Sequence, residues 1–306
     1  MLAQLPQQVV NGLTLGSVYA LLALGYSMVY GILKMLNFAH GDVFMVGAFV
    51  GWGVLHLLTP GGMLAAHPLV VLLAMALAAM VATSLLGGAI ERFAYRPLRK
   101  SSRLAPLISA LGVSIILENA AMLLTAGRAK AYQTELLIPQ NWTVHAGGAT
   151  ISATRLAIIG VSLALMFALD FAVSRTMLGK AMRATSQDRE AAEYMGIRTT
   201  GVIAATFLIG SALAGIAGVM IGLYYMQVDF VIGFSAGLKA FTAAVLGGIG
   251  NIRGAMAGGL VLGLAESFGV LFVAPVYKDA IVFAVLIATL ILKPAGLLGE
   301  QAHEKV

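Results

Sequence analysis

The chain has 306 residues, 60% of them hydrophobic and only 10% charged, with a formal net charge of +6 and a mean hydropathy of +0.94. Soluble domains carry about 25% charged residues, and no soluble fold of this size hides so much apolar surface. The composition therefore excludes a soluble protein. The apolar runs are long and continuous rather than alternating, so the spans are helices and not barrel strands.

Nine candidate helices follow in chain order, at about 9–33, 41–58, 68–90, 104–126, 155–173, 202–223, 236–250, 255–274 and 276–292. The second and seventh are short. The expected fold is all-α, a polytopic membrane helical bundle with eight to nine transmembrane helices, some short or Gly-interrupted. It forms one domain over 1–306. No basic residue precedes Lys34, so the first run reads as a retained span and not a secretory signal. The chain has no cysteine, which removes disulfides and thiolate metal sites.

The basic residues cluster between spans. Placing 91–103 and 174–201 in the cytoplasm also puts Lys34, Arg253, Lys293 and Lys305 there. Only Arg128, Lys130, Arg155, Lys239 and Lys278 are left for the other face. The positive-inside bias then sets the N-terminus outside and the C-terminus in the cytoplasm, with an odd number of crossings. The same bias accounts for the net charge, and no nucleic-acid partner is expected. The outer segment 127–154 is polar, with Pro139, Trp142 and Gly147–Gly148. It reads as a connector, with Trp142 as an interfacial anchor.

Two polar, glycine-bearing stretches interrupt the apolar runs. One is Asn37-Phe38-Ala39-His40-Gly41-Asp42; the other spans Gly247 to Gly254. Paired interruptions in a transporter can mark a binding region, because helix N-termini offer free N–H groups to an anion. They can equally be tight turns whose small residues let helices approach closely. Glu118 and Glu266 fall in mid-span, where a carboxylate is either functional or held by a neighbour such as Asn119 or Ser267. Asp170 is expected to pair with Arg175, and Asp42 to cap a helix start. The candidate substrate path therefore comprises Asn37, His40, Asp42, Glu118 and Glu266.

The longest charged segment is 174–201. Thr185 is expected to cap a short helix, with Asp188 as its reciprocal partner, and Gly196 to end it in the left-handed conformation. A helix of about ten residues is marginal alone in water. Its small apolar face, with Ala191, Ala192 and Met195 beside Tyr194, reads as a docking surface for a soluble partner. No phosphate-loop motif occurs, so nucleotide chemistry must lie elsewhere; metal-ligand spacing and protease motifs are absent too.

Glu190-Ala191-Ala192, with Gly196 four residues later, resembles the cytoplasmic coupling loop of bacterial ABC importer permeases. The stretches NGLTLGSVYALLALGYSMVYGILKMLNFAHGD from Asn11, ERFAYRPLRKSSR from Glu91 and GLKAFTAAVLGGIGNIRGAMAGGLVLGLAE from Gly237 are similar to one subfamily, the LivH-type branched-chain amino acid permeases. The resemblance implies a transporter subunit of the bacterial inner membrane and not an enzyme, with no cofactor in this chain. It implies a second homologous permease, two ATPase subunits that bind ATP and Mg, and a periplasmic binding protein. Leucine, isoleucine or valine would be the cargo, and Glu190, Ala191, Ala192 and Gly196 would couple to the ATPase. A related branch moves urea or short amides. An ion-coupled carrier using Glu118 or Glu266, or a passive urea channel, is the rival reading.

Overall fold

A computed structural model describes residues 4–59, 67–99, 101–102, 104–134, 137–138, 142–146 and 148–299. Lys100, Arg103, Pro139, Gly147 and Lys305 lie outside the described residues. The helices in order are α1 (Leu5–Leu33), α2 (His40–Leu58), α3 (Pro68–Ala89), α4 (Leu104–Thr125), α5 (Ala153–Arg175), α6 (Met177–Gln187) and α7 (Arg189–Tyr194). They continue with α8 (Thr199–Tyr225), α9 (Ile232–Gly247), α10 (Ile252–Gly269) and α11 (Lys278–Leu292). A π turn at Ile90–Tyr95 and a 3-10 turn at Arg96–Leu98 extend α3. Four short strands, β1 (Lys130–Ala131), β2 (Thr143–Ala146), β3 (Ala149–Ser152) and β4 (Gln227–Val228), pair antiparallel as β1–β4 and β2–β3.

All nine expected apolar segments are helices. Among the described residues, seven helices are long and apolar enough to cross a membrane, and α9 with α10 forms a further apolar pair bent by 119°. The turn between them, the second glycine-rich stretch, is a tight helical hairpin. Asn251 caps α10 by accepting from the Gly254 amide at 3.1 Å, and the Gly250 amide donates to Ser27 of α1 at 3.1 Å. The chain after α11 returns to this turn, where the Leu297 and Leu298 amides donate to the Leu246 and Gly247 carbonyls.

The bundle has two distinct ends. The basic end carries α6, α7 and the extension of α3; the other carries the strands. Helices α1 and α8 are buried over most of their length, whereas α3, α4, α5 and α11 are largely apolar and outward-facing. An inward helix with no polar face suits a bundle centre, and an outward apolar face suits lipid. Close packing at the centre rests on small residues: a side chain on Gly263 of α10 would stand 2.3 Å from the Gly16 backbone of α1.

The two halves of the chain repeat one another in inverted sense. Helices α1 and α8 run in opposite directions and each ends in a left-handed cap, Lys34 at φ 54° and Met226 at φ 58°. The next helix begins six residues after each cap, at His40 and at Ile232. Helices α2 and α9 then meet each other. Helix α10 packs on α1 as α3 packs on α8, and α11 meets α9 as α4 meets α2. Gly41 and Gly233, each the second residue of its helix, face one another across the centre. A Cβ on Gly41 would lie 2.3 Å from the Gly233 carbonyl, and one on Gly233 would lie 2.9 Å from the Gly41 carbonyl. A pseudo-twofold axis therefore passes between them. The internal repeat is only faint in the sequence, and the partner of the 34–39 break is 226–231, not the glycine-rich turn.

The far-end strands do more than connect. Tyr132 is buried against Gly51 and Gly222, and its hydroxyl donates to the Ala48 carbonyl, tying α2 to α8. Burial pushes its phenol above the ordinary tyrosine range. The Thr150 amide of β3 donates to Gln7 at 2.9 Å, which fixes the start of α1. Trp142 is exposed.

Candidate functional site

Helix α2 starts inside the bundle. The His40 ring lies against Gly25, eight residues before the end of α1, or about 12 Å along that helix. No side chain caps α2 or α9. Both helix starts therefore meet in the interior. Asp42 lies in the first turn of α2 and does not cap it. Its Oδ2 accepts from Ser114 of α4, while its Oδ1 is buried and has no hydrogen-bond partner. A narrow cleft of about 40 Å³ opens here. Tyr26, Phe38, Leu111, Phe234 and Phe241 wall it, and Asp42 and Ser114 line it.

The remaining path candidates divide around this cleft. His40 is buried edge-on to Tyr26 at 4.8 Å, and its Nε2 has no partner. Glu118 is half-buried on the Ser114 face of α4, one turn further along. Asn119 binds the Ile115 carbonyl at 2.8 Å and does not hold Glu118 by a hydrogen bond. Asn37 is buried away from the cleft lining, with the Tyr95 hydroxyl donating to its Oδ1 at 3.2 Å. Glu266 belongs to a separate cluster. Its carboxylate takes Lys239 Nζ at 3.0 Å and the Tyr19 hydroxyl at 2.9 Å, and Lys239 also reaches Asp279 at 3.0 Å. Tyr19 and Tyr26 are seven residues apart on α1, so the two clusters stand about 10 Å apart along that helix. Asp170 pairs with Arg253 at 3.1 Å, where Arg175 was expected.

At the basic end, the charged segment forms two helices rather than one. Thr176 caps α6, whose Thr185 bonds back to the Ala181 carbonyl and caps nothing. Asp188 is the true cap of α7, accepting from the Ala191 amide at 3.0 Å. Gly196 ends α7 at φ 82°. The Ile197 amide donates to the Ala192 carbonyl and the Gly196 amide to the Glu193 carbonyl, both at 3.0 Å. This double closure needs a left-handed residue and suits glycine. The small face divides: Ala192 is buried against the chain's own body, while Ala191, Tyr194 and Met195 are exposed. A hollow of about 460 Å³ beside them is lined by Arg96, Pro97, Arg99, Arg189, Glu190, Glu193 and Thr200. Arg99 is held there by a buried ion pair with Glu91.

The family model described as "Branched-chain amino acid transport system / permease component" matches residues 8–290. The chain belongs to that permease family. It is 48% identical over 303 residues to the high-affinity branched-chain amino acid transport system permease protein BraD of Pseudomonas aeruginosa. That match covers 98% of this chain and 97% of BraD. It is 46% identical to LivH of Escherichia coli K12 and 45% identical to LivH of Salmonella typhimurium, both described in the same terms and covered to the same extent. The permease is thus a multi-pass membrane protein and a transporter subunit.

Sequence reasoning missed four residues of the permease's two clusters. Lys239 was assigned to the outer face, yet it is buried with Glu266. Opposite charges in two adjoining apolar runs, 27 residues apart, were the available signal, since a lysine in an apolar run normally has a partner. Ser114 escaped notice because a lone serine in a span is common. Its spacing of four from Glu118 places both on one face and was the clue. Asp279 and Tyr19 carry no signal without the fold, because their roles come from helices distant in the chain.

Proposed function

We propose that this chain is the membrane-spanning permease subunit of a binding-protein-dependent ABC importer that carries branched-chain amino acids into the cytoplasm. The observation that carries the reading is near-full-length identity of 45–48% to permeases described by that transport. The whole of 1–306 acts as one permease domain, with 174–201 as the coupling loop and 127–154 as the outer loop. It sits in the bacterial inner membrane with its N-terminus outside and its C-terminus in the cytoplasm. The basic end then faces the cytoplasm, in keeping with the positive-inside bias.

A second homologous permease completes the path, and a periplasmic protein delivers the amino acid. ATP and Mg are bound by two partner ATPases, and this chain carries no cofactor. Closure of the ATPase pair presses on Glu190, Ala191, Ala192 and Gly196. Ala192 seats α7 on the permease body, while Ala191, Tyr194 and Met195 meet the ATPase. The push reaches α5 and α8, the helices flanking the loop, and shifts the balance between two bundle arrangements. The substrate path runs past Asp42 and the paired helix starts. Asn37, His40 and Glu118 flank it, and Glu266 braces the bundle beside it.

The test is co-purification in mild detergent followed by uptake into proteoliposomes. The expected result is a complex with a second permease and two ATPases that takes up labelled leucine only with ATP and binding protein. Uptake of urea in preference to leucine would move the substrate to the amide branch. Uptake driven by an ion gradient without ATP would refute the importer reading.

A further inference from the structure

The cleft at the meeting of α2, α4 and α9 sets polar atoms in an apolar wall. Asp42 is 1% exposed, and one of its carboxylate oxygens has no hydrogen-bond partner. A buried acceptor of this kind is stabilised by a further donor. The other Asp42 oxygen is fixed by Ser114, so the free oxygen cannot swing away without breaking that bond. Glu118 stands one turn from Ser114 on the same face of α4. Among the described residues the cleft lining holds a carboxyl group and no basic side chain, so it suits a cationic group.

The rest of the cleft narrows the class of cation. Its walls are Phe38, Phe234, Phe241, Leu111 and Leu238, and it holds about 40 Å³. The narrow inner space takes an ammonium-sized group, while the rest of a ligand extends toward the open side. Phe234 is 58% exposed, so the cleft opens at its side. The uncapped start of α9 lies alongside, with Gly233 against Asp42, and offers backbone donors to an anion. Cation receptor, anion receptor and apolar wall are thus within a few ångströms of one another.

We infer that this cleft is a substrate subsite in which Asp42, steered by Ser114, receives the α-ammonium group of an apolar amino acid. The side chain of the amino acid lies against the Phe234 wall, and its carboxylate faces the start of α9. The inference rests on the reading of the chain as an amino acid permease and adds the residue that holds the amino group.

The experiment uses the full chain with its partner permease in nanodiscs, with Val231→Cys, exposed one turn before Phe234 and outside the cleft lining, as this chain's sole cysteine; the native chain has none. The probes are leucine, 3-methylbutylamine, which lacks the carboxylate, and 4-methylpentanoate, which lacks the amine. At about ten times its Kd, a bound ligand slows maleimide labelling about tenfold. Leucine and the amine are expected to protect, and the acid is not. Adding Asp42→Asn abolishes protection, and Ser114→Ala weakens it. Equal protection by the acid, or leucine protection that survives Asp42→Asn, overturns the assignment. If Asp42→Asn does not insert, the comparison of amine with acid in the Asp42 protein still decides. Labelling needs no ATPase, so normal protection without ATP-driven uptake would sink the importer reading alone.

Discussion

Replacing Lys239 with Met is expected to destabilise the bundle more than replacing Glu266 with Gln. Lys239 Nζ lies 3.0 Å from both Glu266 and Asp279. Removing it leaves the Glu266 carboxylate, whose side chain is 1% exposed, with the Tyr19 hydroxyl as its remaining hydrogen-bond donor. Breaking a buried pair from one side costs about 3–5 kcal/mol. The Asp279 side chain is 62% exposed, so its share is about 0–1 kcal/mol. Glu266→Gln differs: Lys239 keeps Asp279, and the amide oxygen still accepts from Tyr19. Its cost is that of one charge-assisted hydrogen bond, about 1.5–3 kcal/mol. Removing both charges at once leaves no buried orphan, so the double variant costs less than the sum by about 1 kcal/mol or more. Unfolding in mixed micelles with increasing SDS measures all three. The reasoning is refuted if Lys239→Met costs no more than Glu266→Gln, or if the two costs simply add.

The small residues and the foot give further tests. Gly263→Val places a side chain where the Gly16 backbone already stands, so α1 and α10 must part; about 1–3 kcal/mol of stability is lost, read as earlier unfolding in the same micelles. Ala192→Trp and Gly196→Trp are expected to abolish uptake in proteoliposomes while the chain still inserts. Ala192 has no room beneath it, and a side chain at position 196 would be strained by the positive φ rather than by a clash, since nothing lies within 4 Å of the would-be Cβ. Ala191→Trp sits on the outward face and should stop uptake without loosening α7. Normal transport by all three variants removes the coupling assignment.

The fold was legible in the sequence wherever one segment settles its own state. Long apolar runs with few charges define spans whatever they pack against, and all nine formed helices. The end of α7 was legible for the same reason, because Gly196 closes it through local backbone bonds. Thr185 misled because an equally good cap, Asp188, stands three residues on, next to the first residue of the helix that forms. The cleft was half legible: Asp42 and Glu118 stand out as charges in oil, but Ser114 and the start of α9 come from elsewhere in the chain. The ion pairs of Asp170 and Lys239 were out of reach for that reason. Each joins helices 27 or more positions apart, and sequence neighbours such as Arg175 were the only visible partners.

The account turns on whether the short helix α7 is the point where an outside motor grips the bundle. The chain has no cysteine, so Tyr194→Cys, on the exposed face of α7, makes a single cross-linking site. In inverted membrane vesicles, where the cytoplasmic face is outward, an amine-to-thiol cross-linker is expected to join it to an ATPase subunit. ATP with vanadate, which holds the ATPase pair closed, should change the yield. Labelling of that cysteine only from the periplasmic side, or full ATP-driven uptake after α7 has been cross-linked to the permease's own body, would contradict the account.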